Sequence, residues 1–110
     1  MSQVPPVFSE YDFFRFIRHW GAKLGKELLT LAFTLYEMWE DPDVPTKAKV
    51  VIASALAYLL LPVDAVPDMI PVIGFADDLT ALAAAMSQVS EHVKPKHRAR
   101  AEARVRSIFE

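Results

Sequence analysis

Apolar residues recur at Phe13, Ile17, Trp20, Leu24, Leu28, Leu31, Leu35 and Met38, in steps of three and four. That spacing places them on one face of a helix, and strand-type alternation is almost absent from the chain. Ser9 followed by Asp12 resembles an acidic capping box, so the helix is predicted to begin near residue 10. A single helix from there to Trp39 would be about 45 Å long, more than a domain of this size spans. Gly21 and Gly25 are the natural places for a bend. Their GxxxG spacing suits a close helix crossing, whereas the adjacent Lys23 and Lys26 argue against a seam buried in lipid.

From Leu28 to Trp39 only Thr30, Thr34 and Glu37 interrupt the apolar residues, so this segment is expected to be covered by neighbours or by lipid. Asp41-Pro42-Asp43-Val44-Pro45 stops it, and Thr46 is the expected N-cap of the next helix, about Lys47 to Leu61. Residues 50–63 carry no charge, and Ser54 is the one clearly polar side chain among them. A helix of that length rises only about 22 Å, short of a hydrocarbon core of about 30 Å, so it reads as the central helix of a bundle. Pro62 is expected to end it, Gly74 to open a fourth helix that frays near His92, and Pro95 to set off a last helix reaching Phe109. The predicted architecture is all-α: a compact bundle of four to five helices with a Pro/Asp-rich loop between two apolar central helices. Residues 1–110 form one domain, residues 1–8 are expected to be flexible, and 94–110 form a basic amphipathic helix.

Composition narrows the chemistry. The chain has 110 residues, 53% of them hydrophobic, and no cysteine, which excludes disulfides, thiol catalysis and cysteine-ligated metals. Nothing resembling a cleaved signal peptide appears at the start, and a cytoplasmic location is expected, with peripheral contact at the inner face of the membrane as its variant. The formal net charge of −2 hides a segregation. Residues 37–78 hold eight carboxylates against two lysines, and residues 94–106 hold six cations against Glu102. The simpler reading is that the basic tail folds back beside the acidic middle. The functional reading sends Lys96, Arg98, Arg100, Arg104 and Arg106 to an anionic surface or lipid. Nucleic acid is disfavoured as a partner, because six cations on a short helix make a modest patch. His97 and the tail around it read as a solvated face, with Arg98–Glu102–Arg106 spaced for i,i+4 pairs.

The most specific segment is residues 58–79, YLLLPVDAVPDMIPVIGFADDL. Its pattern P-x-D-x-x-P-D-x-x-P-x-x-G-x-x-D-D is met at Pro62, Asp64, Pro67, Asp68, Pro71, Gly74, Asp77 and Asp78. It resembles the bacterial YkvA-like family, domain of unknown function 1232, over about residues 39–92, with the Asp41–Pro45 lead-in, Lys49 and Tyr58 also similar. Ala65 and Leu61 depart from the family pattern. The resemblance implies no assigned activity, although some relatives look membrane-associated.

Two uses of the aspartates follow from chemistry. In a structural clasp, Asp64 and Asp68 accept backbone N–H bonds in proline-set turns, while Asp77 and Asp78 face the dipole of the helix after Gly74. In the alternative, Asp64, Asp68, Asp77 and Asp78 converge on Mg²⁺ or Ca²⁺ as a binding site or a small metal-dependent hydrolase. The spacing does not fit an EF-hand, since the sixth and twelfth positions from Asp64 are Met69 and Phe75. No catalytic constellation or phosphate-cradling glycine loop is present. The expected function is therefore that of a non-catalytic helical module. It would associate with a protein partner, with a copy of itself, or peripherally with a membrane.

Overall fold

The computed structural model describes residues 10–65 and 71–109, with Trp20, Ala22 and residues 60–65 and 71–78 described by backbone alone. Five α-helices are present: α1 (Glu10–Leu24), α2 (Lys26–Glu40), α3 (Thr46–Ala65), α4 (Pro71–Val89) and α5 (Pro95–Phe109). A 3-10 turn, Ser90–His92, joins the last two. No strand occurs among the described residues.

The 10–40 stripe is two helices. Gly25 has φ +90°, a conformation that costs an L side chain, and its carbonyl accepts the first hydrogen bond of α2 from Leu29 N–H at 3.1 Å. Gly21 serves packing instead. A Cβ there would lie 3.6 Å from side-chain carbons of Ile108 and Ile17, so its lack of a side chain brings α5 close to α1.

The centre of the bundle is α2, and this corrects the expectation that α3 would hold that place. α2 packs against all four other helices. Residues 32–38 are buried without interruption, including Thr34 and Glu37. Thr34 is satisfied by donating its hydroxyl to Thr30 O at 2.7 Å. A helix apolar nearly all round must be covered on all sides, and here helices cover it. Phe13 of α1 stacks on Tyr36 at 5.2 Å between centroids and meets Phe33 edge-on at 5.7 Å. Between residues 46 and 59, α3 is buried through Ala48, Ile52, Ala53, Ala55, Leu56 and Leu59 and leaves Lys47, Val50, Ser54 and Tyr58 exposed.

Several boundaries differ from expectation. Pro45, not Thr46, caps α3, because its carbonyl accepts from Lys49 N–H at 3.0 Å. α3 continues through Pro62 to Ala65, which costs the helix one N–H donor in its last turn. Pro71 rather than Gly74 opens α4, the helical position where a missing N–H matters least. Asp77 and Asp78 consequently fall in the second turn of α4, past the reach expected for a first-turn dipole interaction. Pro67 and Asp68 lie outside the described residues, as do residues 1–8 and Ser9. The side chains of Pro62, Asp64, Pro71, Gly74, Asp77 and Asp78 also lie outside them.

Candidate interaction surfaces

The basic tail folds back on the acidic end of α2. α2 ends at Glu40, and Asp41 forms a turn in which its Oδ1 accepts from Asp43 N–H at 2.9 Å. Asp41 is buried, and its Oδ2 faces three groups at the start of α5. Lys94 Nζ stands at 3.3 Å, Lys96 Nζ at 3.5 Å and His97 Nε2 at 2.9 Å. The Asp43 amide, then His97 and Lys94, hold the Asp41 carboxyl well below the usual carboxylate range despite burial. The Asp43 and Asp41 carboxylates in turn hold the Lys94 ammonium above its ordinary value.

His97 is 1% exposed, which corrects its reading as part of a solvated face. Lys94 is the N-cap of α5: its carbonyl accepts from His97 N–H at 2.9 Å, and its own N–H donates to His97 Nδ1 at 2.9 Å. The bond from the Lys94 N–H back to the third helical residue is the returning half of a capping box, with histidine in the place of glutamate. The N-cap lysine contributes its backbone carbonyl and no side-chain acceptor. With Nδ1 accepting, the ring proton sits on Nε2 and is donated to Asp41. Both ring nitrogens are thus committed, and the buried His97–Asp41 pair joins the start of α5 to the end of α2.

One turn earlier in α2, buried Glu37 accepts from Arg104 Nε at 2.9 Å and faces Arg100 at 3.8 Å. The Arg104 guanidinium also lies 5.4–5.7 Å from the ring centroids of Phe14, Phe33 and Tyr36. Of the cations expected to meet an anionic surface, Lys96, Arg100 and Arg104 are therefore paired internally. Arg98 and Arg106 are exposed, and the expected Arg98–Glu102–Arg106 pairs do not form. Nearby, a hydrogen bond that the protonated Glu40 carboxyl shares with Glu10, followed by burial, pushes the Glu40 carboxyl up, and burial pushes the Tyr36 phenol up.

The other surface belongs to α3 and α4, which pack on each other and on α2. Val50, Ser54 and Tyr58 of α3 are exposed, Tyr58 at 45%. Thr80, Ala83, Ala84, Ser87 and Gln88 of α4 are exposed as well. No charged residue occurs in 50–59 or 79–90, so the exposed positions of these two segments are uncharged, whereas α1 and α5 carry many exposed charges. Among the described residues there is no group of three or more histidines and carboxylates able to hold a metal. Nor is any helix long and apolar enough to cross a membrane.

The fold and surfaces define a small all-α domain in which an α3–α4 hairpin is braced by a charged α2–α5 dock. Residues 48–84, most of that hairpin, match the family model described as protein of unknown function (DUF1232), the YkvA-like family that the loop motif resembles. The chain is 32% identical over 57 residues, 49% of its length, to a Bacillus subtilis (strain 168) protein described as "Uncharacterized membrane protein YkvA". It spans 54% of that relative's length. No solved structure matches.

Sequence reasoning missed Glu37, Asp41 and His97 as the residues organising the dock. The signal was present in two places. Pro95 at the first helical position puts His97 at the third, where a capping box places its acceptor. The spacing His97, Ala101, Val105 is also a buried stripe of i, i+4, i+8, which partly buried Ile108 continues at i+11.

Proposed function

We propose that the protein is a non-catalytic helical module that attaches peripherally to a membrane through the outward face of the α3–α4 hairpin. The observation that carries this reading is the absence of charge from the exposed positions of residues 50–59 in α3 and 79–90 in and after α4. Desolvating that surface against headgroups and acyl chains sets no buried charge against the hydrophobic gain. Tyr58 and Val50 supply exposed apolar area, and tyrosine favours the boundary where one end is apolar and the other wet. The relative's description as a membrane protein agrees with it. The α2–α5 dock serves as the brace that keeps the hairpin in shape.

Fractionation of cells expressing the full chain tests it. The protein is expected in the membrane fraction and is released by carbonate. Introducing a carboxylate at the face, as Tyr58→Glu with Ala84→Glu, shifts it to the soluble fraction without altering its melting temperature. Release by detergent alone would refute peripheral attachment, and an unaltered distribution of the double variant would refute the assigned face.

A further inference from the structure

The cations of α5 fall into two sets on either side of its buried stripe His97–Ala101–Val105. Arg100 and Arg104 lie on one side, engaged with Glu37, and Arg104 reaches Phe14 of α1. At 100° per residue, Arg98, Glu102, Arg106 and Phe109 lie on the other side. α1 packs on α2, α3 and α5, while α4 packs on α2 and α3. Around α2 the order is therefore α5, α1, α3, α4, and the Arg106 side of α5 turns toward the α4 side of the bundle.

A shallow groove of about 300 Å³ opens there, lined by Lys26, Thr30, Glu102, Val105, Arg106 and Phe109. The Lys26 ammonium stands 5.5 Å from the centroid of the Phe109 ring, which is 39% exposed. Neither Lys26 nor Arg106 has an ion-pair partner among the described residues. An apolar floor with two unneutralised cations and one carboxylate at its rim complements an anion that continues into apolar material. Its shallowness suits the headgroup region of a bilayer.

We infer that this groove is the contact for anionic phospholipid, an inference that rests on the membrane reading above and extends its surface from α4 to α5. Lys26 and Arg106 meet the headgroup phosphates, and Phe109 enters the interfacial region beside them. Lys94, Lys96, Arg100 and Arg104 take no part, because withdrawing them would leave Asp41 and Glu37 buried without counter-charges.

The test is co-sedimentation of the full chain with phosphatidylcholine vesicles and with vesicles that also contain phosphatidylglycerol. The wild type is expected to bind the anionic vesicles more tightly. At about fivefold per cation, neutralising both sites in Lys26→Gln with Arg106→Gln lowers that partition by roughly 25-fold. Lys26→Glu with Arg106→Glu lowers it further. Binding to neutral vesicles stays unchanged. A control with the same charge change on α1, Arg15→Gln with Arg18→Gln, stays within about threefold of wild type, and unchanged thermal melts establish that the variants fold. Equal losses in groove and control variants, or no preference of the wild type for anionic vesicles, would overturn the groove assignment alone. Failure to bind either vesicle would overturn the membrane reading and this inference together. A dimer in lipid-free solution that the groove variants dissociate would assign the groove to a second copy of the chain and overturn it too.

Discussion

Replacing His97 separates the capping account of the α2–α5 joint from simple burial. In His97→Ala two hydrogen bonds disappear, one from Lys94 N–H and one to Asp41, each 2.9 Å long. The Lys94 amide is left without an acceptor at a half-buried helix start, a loss of about 1–3 kcal/mol. The missing ring adds a cavity contribution of about 1 kcal/mol, since the end of a helix can partly collapse into it. The sum is about 3 kcal/mol, a large share of the roughly 5–15 kcal/mol that holds a domain folded. It corresponds to a fall of about 13 °C in Tm for a chain of this length. His97→Gln retains the geometry: its amide oxygen accepts from Lys94 N–H, its NH₂ donates to Asp41, and glutamine is an ordinary capping-box residue at this position. That variant should lose no more than about 1 kcal/mol. Thermal and urea unfolding followed by far-ultraviolet circular dichroism measures both. Equal losses in the two variants, or an alanine variant as stable as the parent, would refute the reasoning.

Other consequences are equally direct. Asp41 has its carboxyl depressed in the folded state, so its contribution is present above the unfolded value of about 3.9 and is lost as pH falls below it. Urea midpoints should therefore drop on the acid side of about pH 4, and Asp41→Asn should flatten that limb while lowering stability at pH 7. Glu40 is shifted the opposite way, its folded carboxyl raised beside Glu10, so its charged form opposes folding and Glu40→Gln should raise Tm at pH 7. Arg104→Ala should cost about 1–2 kcal/mol, allowing for solvent screening of a half-exposed guanidinium and for its loss of three ring contacts. Arg104→Lys should recover only part of that, because an ammonium lacks the planar fork; urea titration of both variants checks the order. Gly25→Ala should lower stability by about 1 kcal/mol because of the positive φ. Gly21→Ala, with its Cβ at ordinary contact distance from Ile108, should be neutral or slightly stabilising by the same measurement.

The helical class, the bend at Gly25, the stop at Asp41–Pro45 and the return of the basic tail to the acidic middle were all legible in the sequence. Each rests on local periodicity, on proline and glycine punctuation, or on gross charge segregation. The identity of the central helix was not recovered, although its signal was visible. α2 has an apolar circumference broken by Thr30, Thr34 and Glu37, a pattern that leaves its cover open between neighbouring helices and lipid. Thr34 bonds its own helix, and Glu37 is neutralised by arginines 63 and 67 positions further along the chain. Pairings of that sequence separation leave no local trace. α3 drew the central assignment through its run without charge, yet that run covers an exposed face as well as a buried one, because its outward positions are Val50, Ser54 and Tyr58. Hydropathy reports apolar character and does not say which neighbour, protein or lipid, will cover it.

The uncharged hairpin face can be probed by site-directed spin labelling, which the absence of cysteine makes clean. One nitroxide is placed through Ala84→Cys on the exposed side of α4, and another through Arg18→Cys on the charged outward face of α1. Power-saturation measurements then compare collisions with oxygen, which concentrates in the bilayer, and with a water-soluble nickel chelate, in the presence of vesicles containing phosphatidylglycerol. Peripheral attachment through α4 predicts that vesicles raise oxygen accessibility and lower nickel accessibility at position 84 while leaving position 18 unchanged. Unchanged accessibility at 84, or equal shifts at both positions, would contradict the assignment of this face to the membrane.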